Sequence, residues 1–380
     1  KRTMKKMVSM ALTGTMAVAV LAGAGTSEVK AADKAKIGVL VADVSGEEAQ
    51  GFRSYYENYI AGNYDVEFNY TDALQSAEDE KTAIEKFASQ GCQAIISFSS
   101  NDRVQQIETC EKYGVYYAVA SGVLDDAQYE TYKTYEYFAG QVGPGNDTEF
   151  EAGKDMGAYY KEQGVSKVAI YGAFIPNPMH VYRVAGVLNG LGCTYGGESD
   201  MNAIAGQIFQ DQTVDLSKVE GDVEVVSYLQ GYGDTTTDEL NAAIQKTPDA
   251  FISVGMATTF FAQSLSEAGI SFSDIDSFTE TNGNSMKNGT LTYLAGKYSS
   301  SIGPVFALVM NAINGNVIRD EDGNAPSISQ GYLVATDSDT FDKYSVSDSG
   351  DAPIYDKETL DSIIGDNVTF EDVKTLVESK

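Results

Sequence analysis

Lys36-Ile37-Gly38-Val39-Leu40-Val41 and Lys167-Val168-Ala169-Ile170-Tyr171 are short, almost unbroken apolar runs, and the same pattern follows each of them. Runs of this length and continuity read as strands covered on both faces. After each comes a polar turn and a helix-like stretch, residues 50–59 and 179–191, then a second strand, 66–70 and 223–227. Next come helices whose apolar residues recur at three and four, 80–87 and 237–244, and third strands, 93–97 and 249–253. Strand, helix, strand, helix, strand is thus written twice. Alternation of this kind implies right-handed βαβ units and parallel sheets. The predicted fold is α/β: two doubly wound parallel-sheet lobes joined by three crossover segments, with a ligand cleft between them. In open α/β sheets the ligand sits outside the carboxyl ends of the strands, so the loops after the strands are the place to search.

Outward from this core, residues 115–119 form a further strand of the first lobe and 135–143 carry the chain across to the second. Residues 291–295 end the second lobe's first pass, 302–313 form a helix stopped by Asn314-Gly315, and 327–335 form a last strand. The predicted first lobe is 32–140 with 299–327, and the second is 141–298 with 328–345. The acidic tail, 346–380, carries helical signals from Thr359 through Leu360, Ile363 and Ile364, and Thr369 with Asp372 starts a short terminal helix. It reads as a packing appendage.

At 380 residues the chain has room for two domains at about 150 residues each. Residues 1–31 read as a secretory leader: Lys1, Arg2, Lys5 and Lys6 precede an apolar run too short to span a bilayer. Val29-Lys30-Ala31 fits a cleavage site, whereas Leu21-Ala22-Gly23-Ala24 looks like a lipobox with Ala24 in place of the lipidated cysteine. An exported, extracytoplasmic protein is expected. Lys+Arg number 26 against 55 Asp+Glu, a net charge of −29, and loss of the leader takes it to −33. That charge argues against a nucleic-acid partner. Cys92, Cys110 and Cys193 read as buried packing thiols, with a Cys92–Cys110 bridge as the alternative. With His180 the only histidine and no CxxC or HExxH spacing, no metal site is expected.

Neither a nucleophile elbow, a P-loop nor a GxGxxG fingerprint is present, and His180 has no triad partner by spacing, so no cofactor and no catalytic residues are expected. Polar and aromatic residues do cluster after the predicted strands. In the first half these are Asp43, Ser45 and Phe52, then Ser100, Asn101 and Asp102, then Ser121. In the second half they are Phe174 and Arg183, Tyr232, Met256, Glu280 with Asn282, and Lys297. All fourteen are candidate ligand-binding residues, although Asx and Ser residues after strands also serve as helix caps.

Val142-Gly143-x-x-Asn146 with Gly153 downstream, and Tyr182-Arg183-x-x-Gly186, resemble segments of the sugar-binding type I periplasmic binding proteins, the solute receptors of bacterial ABC importers. The resemblance spans nearly the whole chain after the leader. It implies that Arg183 hydrogen-bonds ligand hydroxyls and that Glu280 stands where those proteins have a second-lobe Asp. The chain departs from that pattern at Ser45-Gly46-Glu47-Glu48-Ala49, Ser121-Gly122, Val254-Gly255 and Lys297. Ala42-Asp43-Val44-Ser45-Gly46 ahead of Phe52, and Lys297 followed by Ile302-Gly303-Pro304-Val305-Phe306, resemble instead the basic-membrane-protein-like nucleoside receptors.

The resemblance implies a monomeric receptor, not an enzyme, that closes on a small polar ligand, a sugar before a nucleoside, and presents it to an ABC permease in the membrane. A ligand-sensing receptor for a chemotaxis or kinase system is the alternative.

Overall fold

A computed structural model describes residues 34–348 and 352–380 of the chain, so the leader and Ala24 lie outside the described residues. The first sheet holds β1 (Ala35–Val41), β2 (Val66–Ala73), β3 (Ala94–Ser97), β4 (Tyr116–Ala120) and β5 (Phe138–Gly143). The second opens with β6 (Lys167–Tyr171); a small antiparallel pair, β7 (Thr194–Tyr195) and β8 (Val219–Glu220), sits apart from it. It continues with β9 (Glu224–Leu229), β10 (Ala250–Ser253), β11 (Ser271–Ser277) and β12 (Leu291–Lys297). The chain then returns β13 (Ser327–Ser329) to the first sheet and β14 (Leu333–Ala335) to the second.

The strand orders are β2-β1-β3-β4-β5-β13 and β9-β6-β10-β11-β12-β14, the same winding twice, and every pairing is parallel except that of β12 with β14. The repeated pattern in the sequence is therefore a repeated topology. In β1, Ile37 and Val39 face one core layer and Leu40 the other, which is why the strand reads as continuous apolar sequence rather than alternation. The helix Gly303–Ile313 is buried from Gly303 through Ala312 and fills the layer under β3, β4 and β5. Its all-round apolar sequence has no solvent face to supply.

Two helices of the second lobe are locked by small residues. A Cβ on Gly153 would lie 2.0 Å from the carbonyl oxygen of Arg183, and one on Gly186 would lie 2.0 Å from that of Phe150. Only glycine allows the helices Asn146–Glu162 and Pro178–Gly190 to touch backbone to backbone. The glycines singled out in the sequence thus fix the position of Arg183 against Glu149.

Several expectations are corrected. Residues 138–143 do not cross between lobes; they are the fifth strand of the first sheet, paired with β4 and β13. The strand expected over 327–335 is two strands in different sheets, with Gln330-Gly331-Tyr332 as the passage between them. The limits set at 140 and 327 accordingly fall inside first-sheet strands. Cys92, Cys110 and Cys193 are all buried free thiols, which removes the Cys92–Cys110 bridge. Crossings at 144–145, 298–302 and 330–332 join the sheets, and the tail adds a fourth. The helix Ser338–Ser347 buries Phe341 in the second lobe, while Tyr355, Leu360, Ile363, Val373 and Val377 are core residues of the first. The short helix 369 was read to begin is Phe370–Glu378, with Thr369 and Asp372 closing a capping box. Among the described residues no helix is long and apolar enough to cross a membrane.

Candidate ligand-binding cleft

Both strand orders reverse direction beside their first strand, between β1 and β3 and between β6 and β10, and such switch points open a crevice at the carboxyl ends. A cavity of about 710 Å³ lies at these ends. That volume is in the range of small-molecule sites. The first lobe contributes Asp43, Phe52, Tyr70, Phe98, Ser100, Arg103 and the loop after β4; the second contributes Asn177, Pro178, Met179, Tyr182 and Phe209; Asn146 and Lys297 stand near the crossings.

Asp43 shapes the loop after β1. Its Oδ1 accepts from the Ser45 backbone N–H at 2.9 Å and from the Ser45 hydroxyl at 3.1 Å, and its Oδ2 accepts from the Gly46 N–H at 3.1 Å. The Ser45 N–H above all, against the opposing effect of burial, holds this carboxyl below the usual aspartate range. Phe52, on the helix Glu47–Ser54 that follows, stacks on Phe98 with ring centres 5.4 Å apart and forms an apolar wall.

Ser121 opens the loop after β4 in the left-handed region, at φ 56°. A serine there is strained, and such strain is found at binding sites where the surroundings enforce it. Lys297, the last residue of β12, donates from Nζ to Ser121 Oγ at 3.0 Å and so joins the two lobes across the cavity. Arg103 starts the helix Arg103–Tyr113 and donates from Nη1 to the Val123 carbonyl at 2.7 Å. Its Nε is buried with no partner.

The first lobe reaches the second at another point. Glu48 accepts from the Ser277 hydroxyl, and Glu47 accepts from the Thr281 hydroxyl and from its N–H at 3.5 Å. Behind this contact lies a second cavity of about 770 Å³ that shares Glu48, Phe52 and Lys297 with the first and is lined by Glu280.

Of the fourteen candidates, Asp43, Phe52, Ser100, Ser121 and Lys297 line the first cavity together. Ser45 is spent on the Asp43 turn. Asn101 and Asp102 serve the loop itself: their N–H groups donate to the buried Glu80 carboxylate, each at 2.9 Å, and the Asp102 side chain caps the next helix. Asn282 is buried and donates to Asp276 at 3.1 Å and to the Ser277 carbonyl at 2.8 Å. Phe174, Tyr232 and Met256 are exposed away from the cavity lining, Tyr232 stacked on Phe260 at 4.1 Å.

Arg183 is placed differently from the resemblance. It is 4% exposed, and Nε donates to Glu149 at 2.6 Å, Nη1 to the Val254 carbonyl at 2.8 Å and Nη2 to the Tyr332 hydroxyl at 2.7 Å. It clamps the second lobe to the 330–332 crossing and does not line the cavity. His180 is buried beside it; burial, then the Arg183 charge, lowers its pKa to about 4. It is neutral at ordinary pH and accepts from or donates to the Phe174 backbone.

Arg103, Met179 and Tyr70 are cavity residues outside the candidate set. For Arg103 the signal was in view, since it directly follows Asp102 in the same loop. Among the described residues no group of His, Cys, Asp and Glu is placed to hold a metal ion.

No protein-family model matches the chain, and no curated protein matches it either. Solved structures do. A solute-binding protein from Actinobacillus succinogenes 130z with bound D-allose aligns at TM-score 0.61 and 16% identity, over 82% of this chain and 100% of its own. The arabinose-transporter binding protein of Shewanella sp. ANA-3, bound to L-arabinofuranose, aligns at TM-score 0.58 and 16% identity over 82% and 95%. A solute-binding protein from Bacillus halodurans C-125 with myo-inositol aligns at 0.57 and 16% over 84% and 99%. The chain has the two-lobed α/β fold of these periplasmic sugar-binding proteins.

Proposed function

We propose that the protein is an extracytoplasmic solute-binding protein that captures a sugar between its lobes and hands the closed form to an ABC permease. The observation that carries this reading is one cavity walled by both lobes at the carboxyl ends of their strands. Ligand bonds from both walls favour the closed arrangement, because only there are both sets made at once. Phe52 and Phe98 offer a stacking face, and Asp43, Ser100, Ser121 and Lys297 offer hydrogen bonds to hydroxyls. The allose, arabinofuranose and myo-inositol bound by the three similar structures support a polyhydroxylated ligand. Covalent chemistry has no part in this reading.

The test is a thermal-shift and calorimetry screen of unfolded and refolded protein against pentoses, hexoses, inositols, nucleosides and amino acids. A ligand at about 100 times its Kd adds about 2.7 kcal/mol of stability. Binding confined to sugars and inositols is the expected result; binding confined to nucleosides or amino acids would overturn it.

A further inference from the structure

We propose that the ligand is an anionic sugar, and that its oxyanion is held by Arg103 and Lys297 at the cavity wall formed by Ser121, Gly122 and Val123. The inference rests on the sugar-binding reading above and deepens it by adding a charge.

The argument begins with what these two cations lack. In a chain with 55 acidic and 26 basic residues, a cation without a counter-ion at a half-buried place is unexpected. Arg53 pairs with Glu57 and Arg183 with Glu149, but among the described residues neither Arg103 nor Lys297 has a carboxylate within 4.0 Å. Arg103 donates a single hydrogen bond within the protein, from Nη1 to Val123. Among the described residues its buried Nε has no partner and Nη2 donates no hydrogen bond, and that edge of a guanidinium is the one that takes an oxyanion through two parallel bonds. Among the described residues Lys297 donates only to Ser121 Oγ.

The two cations flank one loop. Arg103 grips it at Val123, with Nη2 3.0 Å from where a Cβ on Gly122 would lie, and Lys297 grips it at Ser121. Both line the same cavity. Gly145, which also lines it, starts the 17-residue helix Asn146–Glu162 with no side chain to cap the helix N–H groups. The wall is therefore built from donors.

Four of the five acids of the same cavity already have partners. Asp43 is bound to its own turn, Asp125 accepts from the Gln128 N–H at 2.8 Å, Glu149 is paired with Arg183, and Glu48 accepts from Ser277. Asp126 is exposed and free of such a bond. Asp276 feels the Lys297 charge and Glu80 acts on Arg103, both from beyond 4.0 Å. Among the described residues none of them lies within 4.0 Å of either cation.

The experiment is calorimetry on ligand-stripped protein with D-galacturonate, D-glucuronate and galactose 1-phosphate beside D-galactose, D-glucose and benzoate, repeated with Arg103→Gln and Lys297→Gln. Anionic sugars are expected to bind at least tenfold more tightly than their neutral parents, and each substitution to remove most of that margin, so that the ratio of anionic to neutral affinity falls towards one. Whether uronate or phosphate gains more identifies the oxyanion. Neutral sugars binding as tightly as anionic ones would overturn the inference and leave the sugar reading standing. Benzoate binding alone would overturn the sugar reading and keep the donor wall. No binding by any probe would overturn both. If Arg103→Gln does not fold, Lys297→Gln decides, because glutamine can still donate to Ser121.

Discussion

The loops after β3 and β10 are the same device built twice, with acids shifted in opposite directions. Ser97 ends β3 and Ser253 ends β10; each hydroxyl donates to the carbonyl two residues on and accepts the N–H of that same residue. Each loop is then tied to a buried acid, Glu80 in the first lobe and Asp274 in the second. Burial pushes the Glu80 carboxyl up, but Ser99, Gln106 and the N–H groups of Asp102 and Asn101 outweigh it and hold it below the usual range. Burial and then the charge of Asp276 push Asp274 well above that range, and its bonds from Thr258 and Ser253 do not compensate. The loop needs an acceptor in both places. Which way its pKa moves depends on how many donors surround it and on whether a second acid stands beside it.

The two lobes also use their loops differently. The first lobe turns the loops after β1, β3 and β4 into the cavity, whereas Phe174, Tyr232 and Met256 of the second lie exposed. Behind those exposed loops sits the Arg183–Glu149–Tyr332 network, a buried ion pair without a counterpart among the described residues of the first lobe. Its removal should have the largest effect. Arg183→Ala leaves Glu149 buried without a counter-charge and is expected to cost about 3–5 kcal/mol, read as a fall in Tm by calorimetry. A loss below about 1 kcal/mol would show that Glu149 finds another partner and would return Arg183 to the ligand.

Glu80→Gln comes next, at about 1–3 kcal/mol at neutral pH, because it replaces an acceptor of several donors by a group with one acceptor. Its folded pKa is lowered, so its contribution is present above the unfolded value near 4.5 and is lost as pH falls through the folded one. The gap between variant and wild type should therefore narrow in acid. Asp274 has the reverse sign: its folded pKa is raised, so its contribution is present below 3.8 and is lost as pH rises. Asp274→Asn should compare better with wild type at about pH 8 than at about pH 4, in chemical-denaturation series at the two pH values. Equal pH slopes for the two variants would erase the contrast.

The smallest effect tests the strand ends. Ala173, after β6, is buried at φ 51° and Ser121, after β4, sits at φ 56°. Ala173→Gly should stabilise by up to about 1 kcal/mol by removing the left-handed strain, visible as a small rise in Tm. Ser121→Gly should gain less, since it also deletes the acceptor of Lys297.

The winding was legible because it rests on period and burial. β6 was read to the residue, and β1, β3 and β10 to within one. The split at 327–335 was not legible, since three apolar-polar residues on each side of a Gln-Gly-Tyr passage look like one strand until the sheets are placed in space. In the site, residues presented by backbone position alone were found: Asp43 and Ser121 lie just after their strands, Lys297 ends its own, and Phe52 is on the helix that follows β1. Asn101, Asp102 and Arg183 carry the right chemistry, but Glu80 and Glu149, distant in sequence, claim it first. No local pattern reports such a claim.

The four passages between the lobes bear on how the protein can be taken apart. The chain changes lobe at 144–145, 298–302, 330–332 and again before Tyr355. A gene split once cannot encode one lobe per fragment, and four cuts would be needed to free either. Fragments from a single nick would each carry pieces of both sheets, so they would have to assemble together, strand into sheet, or not at all.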